Sequence, residues 1–377
     1  IMLGVLSESN LLTINADNAL SISHYLLLNG NIDLVGESQL LQDHGSILDD
    51  SSGGWLQRDQ QGRMSSFNYN YWTSPVTDQG TTNNSGFTLN KVMLDGTDED
   101  KPQGITWKGQ YFAADGSRTS PITISDYWIW DFKGGEADVY GDWHHLGSSS
   151  KEIAGAGFSM KGTDGTVAPN TQKQNYTFQG KPHNGDITLN IGQNQNYLLG
   201  NPYASALDVY EFLLDNLPST ITAPDGRKGR NTGQPFNGTL YYWSHFAGST
   251  HILEEYIGGY AYYSFAGSTP AYSSDWRIDN SNPNASDSKI AQRYIPVAQG
   301  FFVNSSGGNF SGNIYFNNNQ RRFAKESSDP SIFLQQEERE KGQLSSIEAD
   351  KRAKLRLKFK SPAGYHRQIL VTRDENS

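Results

Sequence analysis

Apolar and polar residues alternate in short runs along most of this chain. From Leu11 to about Asp59 the apolar positions are Leu12 and Ile14, Leu20 and Ile22, Ile32 and Leu34, then Leu40, Ile47 and Trp55. They recur roughly every ten residues and are punctuated by Asn29-Gly30, Gly36 and Gly45. One small strand per rung, with Asn or Gly at each corner, predicts parallel β-solenoid coils, an antiparallel meander being the alternative. Coils of this kind stack only on their neighbours, so a few of them imply the end of a longer stalk.

Aromatic density then rises. Residues 67–76 (FNYNYWTSPV), 86–94, 104–113, 127–132, 142–146 and 157–161 read as strands, and 238–245, 258–265, 294–303 and 312–316 continue the set. Short strands at even spacing with turn signals between them predict a sandwich or jelly roll.

Residues 175–217 mark the change of texture between the two groups. Tyr176 and Phe178, then Ile187, Leu189 and Ile191, alternate with polar residues, the period of a half-buried strand. Pro182 and Asn184-Gly185 supply the turn between them. After Gly200-Asn201-Pro202, Ser205 is placed to cap a helix, with Asp208 three residues on as a short-armed capping box. Leu207, Tyr210, Glu211 and Leu214 share one face of that helix, Phe212 and Leu213 flank it, and Leu217-Pro218 ends it. The expected fold is therefore all-β with one short helix plugging one end of the β-structure.

The segment 324–350 (AKESSDPSIFLQQEEREKGQLSSIEAD) is charged and poor in aromatics, as a linker is. KLRLKF and QILVT then alternate around Ser361-Pro362-Ala363-Gly364, a hairpin too small to fold alone. The expected organisation is a solenoid-like stalk end over 1–64, an aromatic-rich β-sandwich over 65–323, a linker over 324–350 and the first strands of a further β unit over 351–377.

Charge and composition narrow the function classes. Forty acidic against thirty basic residues give a net charge of −10, which disfavours nucleic acid and anionic membrane as partners and suits divalent cations or neutral polymers. The absence of cysteine excludes disulfides and thiolate metal sites. No apolar run approaches membrane-spanning length, and the chain opens without a basic or apolar targeting region. Both ends read as cuts through a longer polypeptide.

The phrases LLLNGNIDLVGESQLLQ, YNYWTSPV, GAGFSMKGTDG, FQGKPHNGDITL, YLLGNPYASALD, GTLYYWSH, GGYAYY and QGFFV, taken in that order, resemble the C-terminal regions of large adhesin-like surface proteins of Bacteroidota exported by the type IX secretion system. The resemblance covers most of residues 11–320 and extends weakly to KLRLKFKSPAGYHRQILVT. It implies an extracellular location, repeats upstream, a sorting signal downstream, and the secretion machinery or other outer-membrane surface proteins as partners. It brings no catalytic residue set.

Three groups of residues invite chemistry. Asp95, Asp98 and Asp100 sit in the densest acidic loop, and converging carboxylates there would suit Ca²⁺, which takes six to eight oxygens. The loop lacks the Gly and terminal Glu of an EF-hand, so a solvated hairpin loop is the competing reading. Tyr242, Trp243 and Tyr262 would form a platform for sugar rings if their faces were exposed, against core packing as the alternative. His144 and His145 are adjacent on a strand and point to opposite faces, which argues against a shared zinc ion.

For glycosidase chemistry Asp126, Asp131, Glu136, Asp138, Glu254 and Glu255 are available, none in a recognisable setting. There is no G-x-S-x-G elbow, P-loop or dinucleotide fingerprint. The expected function is a non-catalytic structural and adhesive segment that caps a repeat stalk, with a carbohydrate-binding module as the alternative and a polysaccharide hydrolase behind it.

Overall fold

The computed structural model describes residues 4–6, 10–80, 82–109, 115–136, 139–164, 173–247, 250–252, 257–271, 290–327, 354–360 and 366–372. The architecture is nearly all β, with 46% strand against 7% helix, and it opens on a β-solenoid. Strands β1 (Gly4–Leu6), β2 (Leu11–Ile14), β3 (Ala19–Ile22), β4 (Tyr25–Leu28), β5 (Asn31–Leu34), β6 (Gln39–Gln42), β7 (Ile47–Leu48) and β8 (Trp55–Arg63) wind around three sides. β1, β4 and β7 stack in parallel on one side, β2, β5 and β8 on the second, and β3 and β6 on the third. Leu11 lies opposite Asn31, and Asn31 opposite Trp55, so successive coils take twenty and twenty-four residues.

A coil thus holds three strands, where the spacing of apolar residues had suggested one per rung. The difference lies in the corners: Asp17, Gly36 and Gly45 adopt positive φ and turn the chain between strands of no more than four residues. Inside, Leu26, Leu28, Ile32, Leu34, Leu40, Leu48 and Leu56 are buried, the inward half of an alternating pattern. Corner side chains tie coil to coil. The Ser52 hydroxyl accepts from Leu28 N at 2.9 Å, and Ser38 donates to Asn15 O at 2.8 Å.

The solenoid does not end as a separate unit at residue 64. β8 pairs in parallel with β5 on one side and antiparallel with the strand Lys173–Pro182 on the other. The solenoid leucines share one apolar core with Trp72, Val76, Phe87, Phe158, Tyr176 and Phe178. A strap then crosses the third side of the solenoid. Arg321 donates to Leu40 O at 2.5 Å, Gln39 donates to Ala324 O at 2.6 Å, and Ser327 N donates to Glu37 at 2.9 Å. The start of the expected linker is thus built into the fold, with Ala324 and Glu326 buried. The rest of it lies outside the described residues. The strands Lys354–Lys360 and His366–Thr372 form the expected antiparallel hairpin.

Beyond the solenoid, a six-stranded sheet runs in the order Lys133–Gly135, Asn196–Gly200, Gly300–Asn304, Leu240–Ala247, Ile257–Ser264, Gly267–Thr269. One of its faces buries Leu199, Leu240, Tyr242, Phe301 and Val303 against the helix Val209–Asn216 and the pair Ile187–Ile191 and Gly312–Phe316. That helix begins later than its capping signal suggested. Ala206–Asp208 is drawn into a short ladder with Arg321–Arg322 and Tyr294–Ile295, so Asp208, not Ser205, becomes the N-cap and accepts from Tyr210 N. The opposite face of the sheet meets a four-stranded sheet of β9 (Tyr69–Trp72), Phe158–Lys161, Trp130–Asp131 and His144–His145. Successive residues of β9 serve two cores: Trp72 enters the solenoid-side core and Tyr71 the aromatic cluster between the two sheets.

Candidate functional site

The aromatic cluster on the second face of the six-stranded sheet is the feature with most potential for ligand contact. Cross-strand register sets Tyr241 opposite Tyr262 and Trp243 opposite Tyr260, and alternation sends all four side chains to the same side. Tyr71, Phe132 and Phe302 are buried beneath them, while Tyr69, Trp143, Tyr241, Trp243 and Tyr260 are half-buried at its margin. The rings interlock. Tyr71 stacks on Trp243 at 6.5 Å between centroids, Trp243 meets Tyr260 edge-on at 5.2 Å, and Tyr241 meets Tyr262 edge-on at 5.1 Å. Trp143 closes the other side, 6.1 Å from Tyr71.

Polar tips run along this surface. The Tyr71 and Tyr260 hydroxyls lie 3.3 Å apart and Asn237 donates to the Tyr241 hydroxyl at 2.6 Å, whereas the Trp243 indole N–H is buried with no hydrogen-bond partner among the described residues. Apolar faces bordered by tyrosine hydroxyls match the alternating C–H and O–H character of a sugar ring.

Of the residues singled out from sequence, Trp243 and Tyr262 belong to this face. Tyr242 does not. It points the other way, 3% exposed, into the core beside Phe301, because its neighbours on the strand take the opposite face. Burial raises its phenol well above the ordinary value. Tyr71 and Trp143, which complete the surface, come from distant segments, so no local pattern announces them.

The acidic loop is organised differently from the expected calcium site. Asp95 is buried and fully engaged: Oδ1 accepts from Thr97 N at 2.9 Å and Thr97 Oγ1 at 2.6 Å, and Oδ2 accepts from Ile122 N at 2.9 Å. Asp98 and Asp100 are exposed, and Asp98 accepts from Asp100 N at 3.2 Å. The three carboxylates do not converge. Among the described residues no group of three His, Asp or Glu side chains is arranged to hold a metal ion.

Two of the carboxylates considered for hydrolysis, Asp126 and Asp131, are committed to internal contacts. Asp126 accepts from Ser148 N, and Asp131 pairs with Lys133 at 2.9 Å and with His144 at 3.1 Å. Lys133 also grips Glu152 at 2.9 Å, a residue the sequence did not single out. Glu152 is fully buried, and burial pushes its carboxyl up to about 7 against the pull of Lys133. His145 turns away from His144 toward Asp126 O at 3.2 Å. Glu136 is exposed, whereas Asp138, Glu254 and Glu255 lie outside the described residues.

A family model described as "Domain of unknown function (DUF8693)" matches residues 105–376. The chain belongs to this DUF8693 family. The DUF8693 region takes in Trp143, Trp243, Tyr260 and Tyr262 but not the solenoid or β9, so the aromatic surface is completed by residues in front of it. No curated protein and no solved structure matches the chain. No helix among the described residues is long and apolar enough to cross a membrane.

Proposed function

We propose that this chain is a non-catalytic structural and adhesive segment of an exported bacterial surface protein. In this reading it caps a β-solenoid stalk and links it toward a C-terminal sorting region. The reading rests chiefly on the dual pairing of β8, which joins the parallel stack to antiparallel structure in one shared core. A parallel stack with an open end templates the addition of further strands, and such pairing closes that end. The likeness of the sequence phrases to type IX-exported proteins of Bacteroidota supports an extracellular setting, with the secretion machinery or neighbouring outer-membrane proteins as partners. Antibody labelling of intact cells of the source bacterium tests the location. Signal only after the cells are lysed overturns it.

The aromatic surface favours a second reading, that the same chain binds neutral glycans. It is supported by the grouping of Trp243, Tyr260, Tyr241 and Tyr262 on one face over Tyr71. A glycan array probed with the wild type and with Trp243→Ala separates this from a purely structural role. Loss of a specific glycan signal with an unchanged circular-dichroism spectrum supports it, and no signal from the wild type rejects it.

A further inference from the structure

One group of titratable residues lies outside everything described so far, where the aromatic surface continues along β9 past Tyr69. The Lys161 side chain is buried, and its ammonium nitrogen sits 3.5 Å from the ring centroid of Trp128 and 4.8 Å from that of Tyr69. Lys161 Nζ lies 2.9 Å from His251 Nδ1, and His251 Nε2 lies 2.7 Å from Asp115 Oδ1. The Asp115 carboxylate only accepts, so the proton of the neutral ring sits on Nε2 and Nδ1 accepts from Lys161 Nζ. The imidazole lies flat against Trp128, at 4.9 Å and 13°, and tilted against Phe67 at 4.8 Å. His251 thereby covers Phe67 and Trp128, and Trp128 adjoins Tyr69 and, through it, the aromatic surface.

We propose that Asp115, His251 and Lys161 form an acid-released clasp that holds residues 250–252 over Phe67 and Trp128 and, on opening, adds those two rings to the glycan-facing surface. The clasp depends only on the local geometry; the consequence for glycans rests on the carbohydrate reading above.

Protonation acts on one atom. Neutral His251 offers the Nδ1 lone pair to Lys161. Protonated His251 presents an N–H there instead, facing a second cation at 2.9 Å. Among the described residues the counter-charge at this spot is Asp115, the Tyr69 ring faces Lys161, and Arg118 pairs with Asp164 at 3.9 Å. Burial pushes Lys161 down to about 7 and lowers His251 from its ordinary value, the nearby lysine adding to the second effect. The closed clasp therefore binds fewer protons than the open one at both groups. Opening is favoured as pH falls, first as an amine that is neutral when closed becomes charged when open, then below the ordinary histidine range. Each proton taken up on opening increases the open population up to tenfold per pH unit.

Hydrogen exchange of the full chain, read at residues 250–252 and corrected for intrinsic rates, tests the clasp between pH 7.5 and 5.5. The wild type is expected to lose at least tenfold in protection. His251→Phe keeps the ring contacts without a titrating nitrogen and is expected to stay flat. Lys161→Met removes the opposing charge and is expected to show a reduced response, so the test survives a failure of the first variant to fold. Wild-type protection that is independent of pH, or a His251→Phe response equal to that of wild type, overturns the clasp. Array binding at both pH values provides the second arm. Stronger glycan binding in acid that His251→Phe lacks supports the full proposal, whereas pH-dependent exchange with no glycan bound at either pH overturns the consequence for glycans and leaves the clasp standing.

Discussion

The side-chain amide of Gln60, on the last strand of the solenoid, donates to Glu326 at 2.8 Å, across 266 positions of sequence. The same amide donates to Val297 O at 2.7 Å, so one side chain joins the solenoid, the sheet domain and the strap. Glu326 is deeply buried, and burial pushes its carboxyl up to about 7, with Arg58 pulling the other way. The folded state then holds a proton that the unfolded state releases above the ordinary glutamate range. Stability is therefore lost as pH rises from about 4.5 toward 7. Glu326→Gln is expected to remove on the order of 2 kcal/mol of that pH-dependent loss. Urea midpoints of both proteins at pH 5 and 7.5 measure it, and identical pH slopes contradict it.

Tyr242 and Trp243 are neighbours in sequence with opposite surroundings, and their substitutions are expected to fail differently. Tyr242→Ala removes a ring packed against Phe301 and is expected to cost about 3–5 kcal/mol. The Tyr242 hydroxyl has no hydrogen-bond partner among the described residues, so Tyr242→Phe is expected to be neutral or slightly stabilising. Trp243→Ala is expected to cost less than Tyr242→Ala, since its ring is half-buried, and, if the carbohydrate reading proposed above holds, to remove glycan binding. Thermal unfolding of the three variants beside array binding distinguishes the roles.

The acidic loop is expected to respond to mutation through Asp95 alone. Asp95→Ala strands Thr97 N and Ile122 N and is expected to cost about 2 kcal/mol. Asp98→Ala and Asp100→Ala, at exposed positions, are expected to stay within about 0.5 kcal/mol. Melting curves with Ca²⁺ and with EGTA are expected to superimpose for all four proteins. A rise in melting temperature with Ca²⁺ that Asp98→Ala abolishes would restore the metal reading.

Much of the fold was legible because period-two alternation survives in short segments. Leu26 and Leu28, or Ile32 and Leu34, announce their inward face without knowledge of any partner strand. What pairs with what was not legible. β8 reads as an ordinary strand, and nothing local reveals that it has parallel and antiparallel neighbours. The buried carboxyl of Glu326 sits in a charged run that resembles a linker, since its partners Gln60 and Arg58 lie far upstream. The surface aromatics were half legible: alternation requires Tyr242 and Trp243 to part, but which of them faces the core depends on the Val209–Asn216 helix covering one side of the sheet. Lys161, His251 and Asp115 are brought together by three separate segments, and a lysine on an alternating strand carries no sign of burial.

The closeness of the second and third coils gives the sharpest contrast between adjacent positions. Gly53 and Gly54 follow each other at a corner where the chain passes over Asn29 and Gly30. A Cβ at Gly53 meets nothing within 4 Å, whereas one at Gly54 would lie 1.8 Å from Gly30 O and 2.9 Å from Asn29 C. Both obstacles are backbone atoms, so no side-chain rotation relieves them. Relief requires the coils to separate, which breaks the bonds from Gly54 N to Leu28 O at 2.8 Å and from Trp55 N to Gly30 O at 3.3 Å. Those bonds lead directly into β8, whose register with β5 and with the strand Lys173–Pro182 sets the shared core. Gly54→Ala is therefore expected to cost about 3 kcal/mol or more and to lower hydrogen-exchange protection in β4, β5 and β8 together. Gly53→Ala is expected to change stability by no more than about 0.5–1 kcal/mol, and in the stabilising direction if its backbone suits alanine. Equal effects at the two positions would mean that the coils do not approach each other as closely as the Gly54 contact requires.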